Sequence, residues 1–197
     1  MNQPQIILIG AGGHCRSCID VIELEGRFSV AGVVERPDSG GDAPVLGYPV
    51  LGTDHDLPNL RKKYQYALVT VGQIKTPTVR IQLFDRLWAL GFELPVICSP
   101  RAYISKHAKV GSGTIVMHDA LINAGAAVGE NCILNSKALI EHDAQIGAHC
   151  HISTGAIING GATVGAGTFF GSNAVSVHGI SIPANSFIVA GSLERGA

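Results

Sequence analysis

The second half of the chain carries an apolar residue at almost every sixth position. The series is Ile104, Val110, Val116, Ile122, Val128, Leu134, Ile140, Ile146, Ile152, Ile158, Val164, Phe170, Ile182 and Ile188. Ser176 alone interrupts it, and a small residue nearly always follows each member after four positions. A hexapeptide period is typical of a β-solenoid, in which three hexads form one triangular turn. Fifteen hexads predict five turns, a column roughly 24 Å tall at the ~4.8 Å spacing of paired strands.

The first half alternates strand patterns with helix patterns. An apolar run ends in a glycine-rich turn, Gly10–His14, and apolar residues then recur at helical spacing as far as Gly26. We expect strands at 5–9, 28–34, 66–71 and 94–98, and a second helix from Thr76-Pro77 to Leu90. This order predicts an α/β domain with a small, Rossmann-like parallel sheet. We expect this domain to span 1–98 and the solenoid domain to span 99–197.

Composition narrows the classes of function. The net charge of -1 lacks the positive field that nucleic-acid binding draws on, and 46% hydrophobic residues exclude simple disorder. No apolar run approaches the ~20 residues of a membrane-spanning helix, and the first residues carry no basic region of a secretion signal. We therefore expect a cytoplasmic protein with no membrane or nucleic-acid partner. Five cysteines without a framework spacing favour reduced thiols, and Cys15 and Cys18 share the apolar face of a helix.

Several segments together resemble one family. They are the turn Gly10–His14, the segment LGYPVLG at 46–52, Ser99-Pro100, and Asn135 followed by Ile140-Glu141-His142-Asp143. The chain is similar to the sialic acid and nucleotide-amino-sugar O/N-acetyltransferases with a left-handed β-helix of hexapeptide repeats. The nearest resemblance is to enzymes that acetylate the 4-amino group of nucleotide-linked 4-amino-4,6-dideoxy sugars. The left hand of the coil, acetyl-CoA as co-substrate and the absence of a metal cofactor are implied by this resemblance.

The resemblance implies that His142 is the catalytic base and that Asp143 orients it. His142 points outward from the predicted coil, with Ala124 and Gly160 one turn below and above it. Acetyl transfer to an amine requires a base, and an imidazole with a pKa of about 6.5 suits this task near neutral pH. The alternative interpretation is that both residues are ordinary solvated surface groups.

The resemblance also implies further contacts in the coil. Asn135 matches an acceptor-site residue, and His151 matches a histidine at the acetyl-donor end of the site. Gly160 matches a backbone N–H directed at the thioester oxygen. Small residues that would leave room for pantetheine are Gly165, Gly167, Gly171 and Ala190, with Ala166 beside them. The alternatives are an asparagine that tolerates a left-handed corner and glycines that only keep turns tight. A single coil edge is shallow, and the family forms trimers, so we expect a homotrimer.

The resemblance implies that the N-terminal turn binds the nucleotide sugar. It resembles a dinucleotide fingerprint, but Cys15 replaces the third glycine, which argues against a nicotinamide cofactor. Gly12 and Gly13 let a phosphate approach the N-terminus of the following helix. His14 is then expected near the sugar or diphosphate, and Glu35, at the end of the second strand, near ribose or base. The alternative is a tight turn with no ligand.

Four functions remain open from the sequence. They are N-acetylation of a nucleotide-linked amino sugar, O-acetylation of sialic acid, a zinc hydratase and a silent scaffold. Two turns separate His142 from His178, which predicts a distance near 10 Å at ~4.8 Å per turn and argues against a shared zinc. Ser176 and Ile180 reverse the large and small positions of their hexad, so we expect a bulge or small loop there. The sequence determines neither the identity of the nucleotide nor the structure of the last turn of the coil.

Overall fold

The chain folds into two compact units. A computed structural model describes residues 3–36 and 43–196. The first unit consists of Met1–Gly72 and Val79–Pro95, and the second of Gln73–Thr78 and Val96–Ala197. The short segment Gln73–Thr78 therefore belongs to the second unit, although it lies in sequence between two stretches of the first.

A four-stranded parallel sheet forms the first unit. Its strands are β1 (Gln5–Ile9), β2 (Ser29–Glu35), β3 (Val50–Thr53) and β4 (Tyr66–Val69), in the order β3-β2-β1-β4. The helices are α1 (Gly13–Glu25), α2 (Leu57–Leu60), which follows a 3-10 turn at Asp54–Asp56, and α3 (Thr78–Ala89). The last four residues of β1 are fully buried, as expected of a central strand in a sheet that is covered on both faces. Cys15 and Cys18 are also fully buried, which confirms that they belong to the core.

Two details of the first sheet differ from the prediction. Strand β3 overlaps the segment at 46–52, which the sequence reveals only as a family motif. A short, partly buried edge strand has little apolar pattern by which to predict it. The strand expected at 94–98 is shorter than predicted and does not join the first sheet. Glu93 makes one parallel bridge to Tyr66, whereas Ile97 and Cys98 pair with the coil. Cys98 lies six positions before Ile104, so the hexad period begins earlier than its apolar members suggest.

The second unit is a parallel β-coil with three faces. The first face contains β5 (Ile97–Cys98), β8 (Ile115–Val116), β11 (Ile133–Leu134), β14 (His151–Ile152), β17 (Phe169–Phe170) and β20 (Phe187–Ile188). The second face contains β6 (Tyr103–Ile104), β9 (Leu121–Ile122), β12 (Leu139–Ile140), β15 (Ile157–Ile158), β18 (Val175–Ser176) and β21 (Leu193–Glu194). The third face contains β7 (Lys109–Val110), β10 (Ala127–Val128), β13 (Gln145–Ile146), β16 (Thr163–Val164) and β19 (Ser181–Ile182). We call the turn after each face the first, second and third corner.

Backbone hydrogen bonds connect equivalent positions of successive turns. Ile133 pairs with Ile115 on one side and with His151 on the other, and each step is eighteen residues. The core repeats the large and small positions of the hexad, and both Ile140 and Ala144 are fully buried. The predicted coil is confirmed, but the count of five turns is short, because β5 and β21 extend the ladder at its two ends.

The expected bulge near Ser176 is wrong. Strand β18 keeps the six-residue spacing between β17 and β19. The Ser176 side chain is fully buried, and its hydroxyl oxygen accepts a hydrogen bond from the backbone N–H of Asn159 at 2.9 Å. The Asn159 side chain in turn donates to the Ser176 carbonyl. These polar contacts take the place of the usual large apolar side chain without a change in register.

None of the helices in the described part of the chain has both the length and the apolarity that crossing a membrane requires.

The coil core predicts a contrast between two aromatic residues of one face. Phe170 is fully buried, so Phe170→Ala should lower the free energy of unfolding by about 3–5 kcal/mol through cavity formation. Phe187 is 53% exposed and stacks on Phe169, so Phe187→Ala should cost about 1 kcal/mol. Urea unfolding followed by far-UV circular dichroism measures both. Equal losses would contradict the assignment of the inward positions.

Candidate active site

The second corner of the coil holds an imidazole and a carboxylate that are adjacent in sequence. After β12 the chain turns at Glu141–Asp143, and His142 Nδ1 lies 2.9 Å from Asp143 Oδ2. Both side chains are solvent-accessible, with 55% of His142 and 72% of Asp143 exposed. An ionised carboxylate accepts this hydrogen bond, so Nδ1 carries the proton and Nε2 keeps its lone pair. The pair is thus arranged as a base and its orienting group.

The backbone of the corner holds Asp143 in position. Asp143 has a φ of 61°, and its N–H donates to the carbonyl of Ala124 one turn below at 3.1 Å. Its carboxylate lies directly against Gly125, where a Cβ would overlap with Oδ1. The sequence analysis missed Gly125. Its position eighteen residues before Asp143 could have revealed it, because residues one turn apart lie next to each other in the coil.

Glu141 is a second residue that the sequence analysis did not place in the site. Its Oε2 accepts hydrogen bonds from the backbone N–H of His142 at 3.1 Å and from Asn123 Nδ2 at 2.9 Å. The Glu141 carboxylate therefore fixes the backbone of the corner through these hydrogen bonds and adds negative charge beside the imidazole. The hydrogen bond to Asp143 raises the pKa of His142 above its ordinary value of 6.5. The charges of Asp143 and Glu141 act in the same direction, and partial desolvation opposes them.

Gly160 provides the space that the imidazole occupies. It lies one turn above His142, and a Cβ at this position would be 2.6 Å from His142 Nε2. The left-handed backbone of this corner falls on Gly161, with a φ of 66°, and not on Gly160. Gly160 lies in this turn, but its backbone does not adopt the left-handed conformation that would by itself favour glycine. Among the described residues, no group accepts a hydrogen bond from the Gly160 N–H.

His178 is closer to His142 than the sequence analysis predicted. The two ring centroids are 6.2 Å apart, with an angle of 43° between the ring planes. The expected 10 Å holds for backbone positions two turns apart, but the His142 ring leans along the column over Gly160. The distance argument against a shared ion is therefore wrong. Within the described residues there is no group of three or more His, Cys, Asp and Glu side chains placed to hold a metal.

Asn135, at the first corner, and His151, on the first face, form a separate, partly buried contact. His151 Nδ1 donates to the Gln73 carbonyl at 2.6 Å, and Asn135 Nδ2 lies 3.2 Å from His151 Nε2. The side-chain Oδ1 of Asn135 accepts a hydrogen bond from the backbone N–H of Ser136 at 2.8 Å, so both ends of the side-chain amide are fixed. Asn135 does not have the left-handed backbone that was its alternative explanation, because that conformation falls on Lys137.

Gln73 is another residue that the sequence analysis missed. It is 2% exposed, and its Nε2 donates to the carbonyl of His149 at 3.0 Å and weakly to that of Gly167 at 3.4 Å. Its own carbonyl is the acceptor of the His151 ring. The segment Gln73–Thr78 is thus clamped onto the coil through both side chain and backbone. No local pattern signals a contact between residues 78 positions apart.

The small residues expected to contact acetyl-CoA lie at three different corners of the coil. Gly160 is at the second corner, Gly165 and Gly167 are at the third, and Gly171 and Ala190 are at the first. A Cβ at Gly171 would be 2.5 Å from the backbone nitrogen of Ala190 in the next turn. Close packing of successive turns therefore requires a glycine at this position.

The glycine turn of the first unit is open at the positions expected to bind phosphate. Gly10 has a φ of 108° and packs against Val71, so only glycine fits there. By contrast, a Cβ at Gly12 or Gly13 would meet no atom within 4 Å. Gly12 is the N-cap of α1 and makes no side-chain capping hydrogen bond, which leaves the N-terminus of the helix suited to an anion.

His14 and Glu35 flank this turn. Gly10 N donates to the carbonyl of Val34 at 2.8 Å, so the turn begins beside the residue before Glu35. His14 Nε2 lies 3.4 Å from Cys18 Sγ. Behind the turn, Arg80 is 1% exposed and donates from Nη1 to the carbonyls of Val69 and Val71 at 3.1 and 2.6 Å. The sequence analysis missed this buried arginine, since a charged residue on a helix face is normally solvated.

The chain was compared with known families and structures. The family profile described as the PglD N-terminal domain matches residues 5–87. A search of curated proteins found no match. PerB from Caulobacter crescentus, solved in complex with CoA and GDP-perosamine, is 32% identical, with a TM-score of 0.90 over 98% of this chain and 89% of PerB. The chain belongs to the hexapeptide-repeat nucleotide-amino-sugar N-acetyltransferases.

Two further solved structures share the fold of this chain. The acetyltransferase domain of PglB from Neisseria gonorrhoeae FA1090 is 29% identical, with a TM-score of 0.89 over 98% of this chain and 92% of that chain. WeeI from Acinetobacter baumannii AYE shares the fold at 19% identity and a TM-score of 0.64, covering 92% of this chain and 94% of that chain. The expectation of an N-acetyltransferase with an α/β domain and a left-handed β-helix is confirmed.

The hydrogen bonds of two imidazoles in this N-acetyltransferase, His142 and His151, predict an NMR signature. His142 and His151 should both carry the proton on Nδ1, because Asp143 and the Gln73 carbonyl accept it. Long-range proton–nitrogen spectra of protein with labelled histidine report the tautomer of each ring. Asp143→Ala should return His142 to mixed tautomers and leave His151 unchanged. A proton on Nε2 of His142 in the unaltered enzyme would contradict the assignment.

Proposed function

We propose that the chain transfers the acetyl group of acetyl-CoA to the 4-amino group of a nucleotide-linked 4-amino-4,6-dideoxy sugar, with His142 as general base. The observation that carries this proposal is the second corner of the coil. Asp143 binds Nδ1 of His142, and the unprotonated Nε2 lies over the side-chain-free Gly160. This arrangement offers a directed base beside an open stretch of backbone.

The solved relatives support the classes of substrate. PerB was solved with CoA and GDP-perosamine, and the PglB domain was also solved with acetyl-CoA. These complexes support acetyl-CoA as the donor and a nucleotide-linked amino sugar as the acceptor. We expect no metal cofactor in the transfer, since the proposed base and hydrogen-bond donors supply what the reaction requires.

His142 has a defined task in the proposed reaction. As the amine nitrogen bonds to the thioester carbon, Nε2 accepts the proton that the nitrogen loses. Asp143 stabilises the imidazolium that results. When the carbon–sulfur bond breaks, the imidazolium returns the proton to the departing thiolate, so the base is regenerated without any other acid.

Gly160 is proposed to act through its backbone. Negative charge develops on the carbonyl oxygen during attack, and an N–H directed at this oxygen is typically worth about 3 kcal/mol of barrier. The Gly160 N–H has no acceptor among the described residues and lies next to the base. Asn135, whose amide is held by His151 and Ser136, is proposed to contact the acceptor sugar.

The remaining site residues complete the proposal. Gly12, Gly13, His14 and Glu35 are proposed to bind the nucleotide sugar, and His151, Gly165, Gly167, Gly171 and Ala190 to line the path of acetyl-CoA. We further propose a cytoplasmic homotrimer, in which a neighbouring subunit adds the second wall of a cleft that one edge cannot form. A solution mass near 20.5 kDa would contradict the trimer.

Removal of the base tests the proposed function. His142→Ala should lower turnover by about 10²–10⁴-fold, the usual contribution of a general base, without loss of folding. Formation of acetylated product is followed by mass spectrometry with UDP-, GDP- and dTDP-linked 4-amino sugars, and with sialic acid as the O-acetylation alternative. His107→Ala, at another exposed histidine, is the matched control. Undiminished turnover in His142→Ala would refute the mechanism.

The pH profile offers a second test of the base. Only unprotonated His142 is active, so kcat/KM should fall as pH decreases through a pKa above 6.5, which is the direction of the shift caused by Asp143. Asp143→Asn should move this acidic limb to lower pH and reduce kcat. Asp119 occupies the same left-handed turn position at the first corner, so Asp119→Asn is the control and should leave the limb in place. An unmoved limb in Asp143→Asn would contradict the pairing.

The glycine turn predicts opposite results for two substitutions. Gly13→Ala has open space and a helical backbone, so stability should be unchanged or higher, by up to about 1 kcal/mol. If a diphosphate packs on this turn, the added methyl group should raise KM for the nucleotide sugar but not for acetyl-CoA. Gly10→Ala should instead destabilise the fold, because of its φ of 108° and the contact with Val71. An unchanged KM for the nucleotide sugar in Gly13→Ala would show that the turn has a structural role and does not bind the diphosphate.

A further inference from the structure

His178 is an exposed imidazole at the second corner that the proposed mechanism does not use. It follows His142 by two turns of the coil, and Gly160 occupies the intervening position of the same column. The two ring centroids are 6.2 Å apart. The mechanism needs one imidazole at this edge, and the structure presents two.

The rings approach each other because the residues between them lack side chains. A Cβ on Gly160 would be 2.6 Å from His142 Nε2, and a Cβ on Gly161 would be 3.8 Å from His178 Cε1. Both rings therefore cover the same bare stretch of backbone. Any larger residue at Gly160 would separate them.

The outer nitrogen of His142 is suited to bind a cation. Asp143 holds Nδ1, so Nε2 presents its lone pair away from the carboxylate. A carboxylate behind a histidine is the usual support of a metal ligand, since it fixes the tautomer and raises the basicity of the free nitrogen. Neutral imidazole nitrogen prefers Zn²⁺, Cu²⁺ or Ni²⁺ and not the hard cations Mg²⁺ and Ca²⁺.

The distance between the rings allows both to bind one ion. Imidazoles that share an ion through bonds of about 2.0–2.1 Å have ring centres about 5–6 Å apart. The observed 6.2 Å is just outside this range, and both side chains are exposed, so small rotations close the difference. Water would complete the coordination, because the described residues offer no third ligand here.

We propose that His142 and His178 form a two-histidine site for a borderline divalent cation such as Zn²⁺, and that the bound ion inhibits acetyl transfer. Inhibition rests on the proposed function, because the ion occupies the lone pair with which His142 accepts the proton of the amine. Binding itself depends only on the two imidazoles. With two protein ligands the ion is exchangeable, which suits an inhibitory site and not a structural one.

Direct binding is tested on the full chain after treatment with a chelator. Equilibrium dialysis with Zn²⁺ should show one ion bound per chain. His142→Ala and His178→Ala should each lower the Zn²⁺ affinity by more than tenfold, because loss of even a residue that only supports a ligand costs at least that much. Asp143→Asn should weaken it by about 10–100-fold. His107→Ala should bind as the unaltered chain does, and Mg²⁺ should not compete. Zinc binding that persists in His178→Ala, or none in the unaltered chain, would overturn the site.

Inhibition is tested separately through product formation measured by mass spectrometry. His178→Ala should keep the activity measured without metal and lose inhibition by Zn²⁺, and His178→Gln provides a second variant that retains a polar side chain. Equal inhibition of His178→Ala and the unaltered enzyme would overturn the inhibitory role. Turnover by His142→Ala would refute the proposed base but would not change the dialysis result, so the two failures are distinguishable.

Discussion

The backbone ladder between residues eighteen positions apart is the constraint on which the coil and its site depend. Each strand contributes only two residues, and a strand inside the coil, such as β11, pairs in register with the turns below and above. The ladder leaves little freedom for the backbone. The chemical properties of the coil surface therefore depend on which side chains lie at the corners. They depend equally on where a glycine one turn away leaves space for a neighbouring side chain.

The site at the second corner depends on two such glycines. Gly125 leaves room for the Asp143 carboxylate, and Gly160 leaves room for the His142 ring. Both polar groups are largely exposed, yet a hydrogen bond between sequence neighbours and a left-handed turn hold them in one arrangement. A rigid backbone thus orients an accessible base, where most enzymes use a buried pocket to do so.

Much of this arrangement follows from periodicity. The six-residue spacing predicts the rungs, and the eighteen-residue spacing places Gly160 beside His142. Spacing does not predict which way a long side chain leans, so the approach of His178 was missed. Strand β5 was misassigned because Ile97 and Cys98 continue an apolar run that also fits a separate strand. Glu141 and Arg80 were missed because their roles depend on hydrogen bonds to backbone groups that no residue pattern reveals.

The clamp formed by Gln73 has a consequence for how such chains can recombine. The segment Gln73–Thr78 lies in sequence between β4 and α3, but it supplies the acceptor for His151 and donors to two coil carbonyls. An exchange between homologous genes at a single crossover after α3 would join a foreign glutamine segment to this coil. Viable chimaeras should therefore inherit the segment Gln73–Thr78 and the coil from the same parent, even though the seventeen residues 79–95 separate them in the sequence.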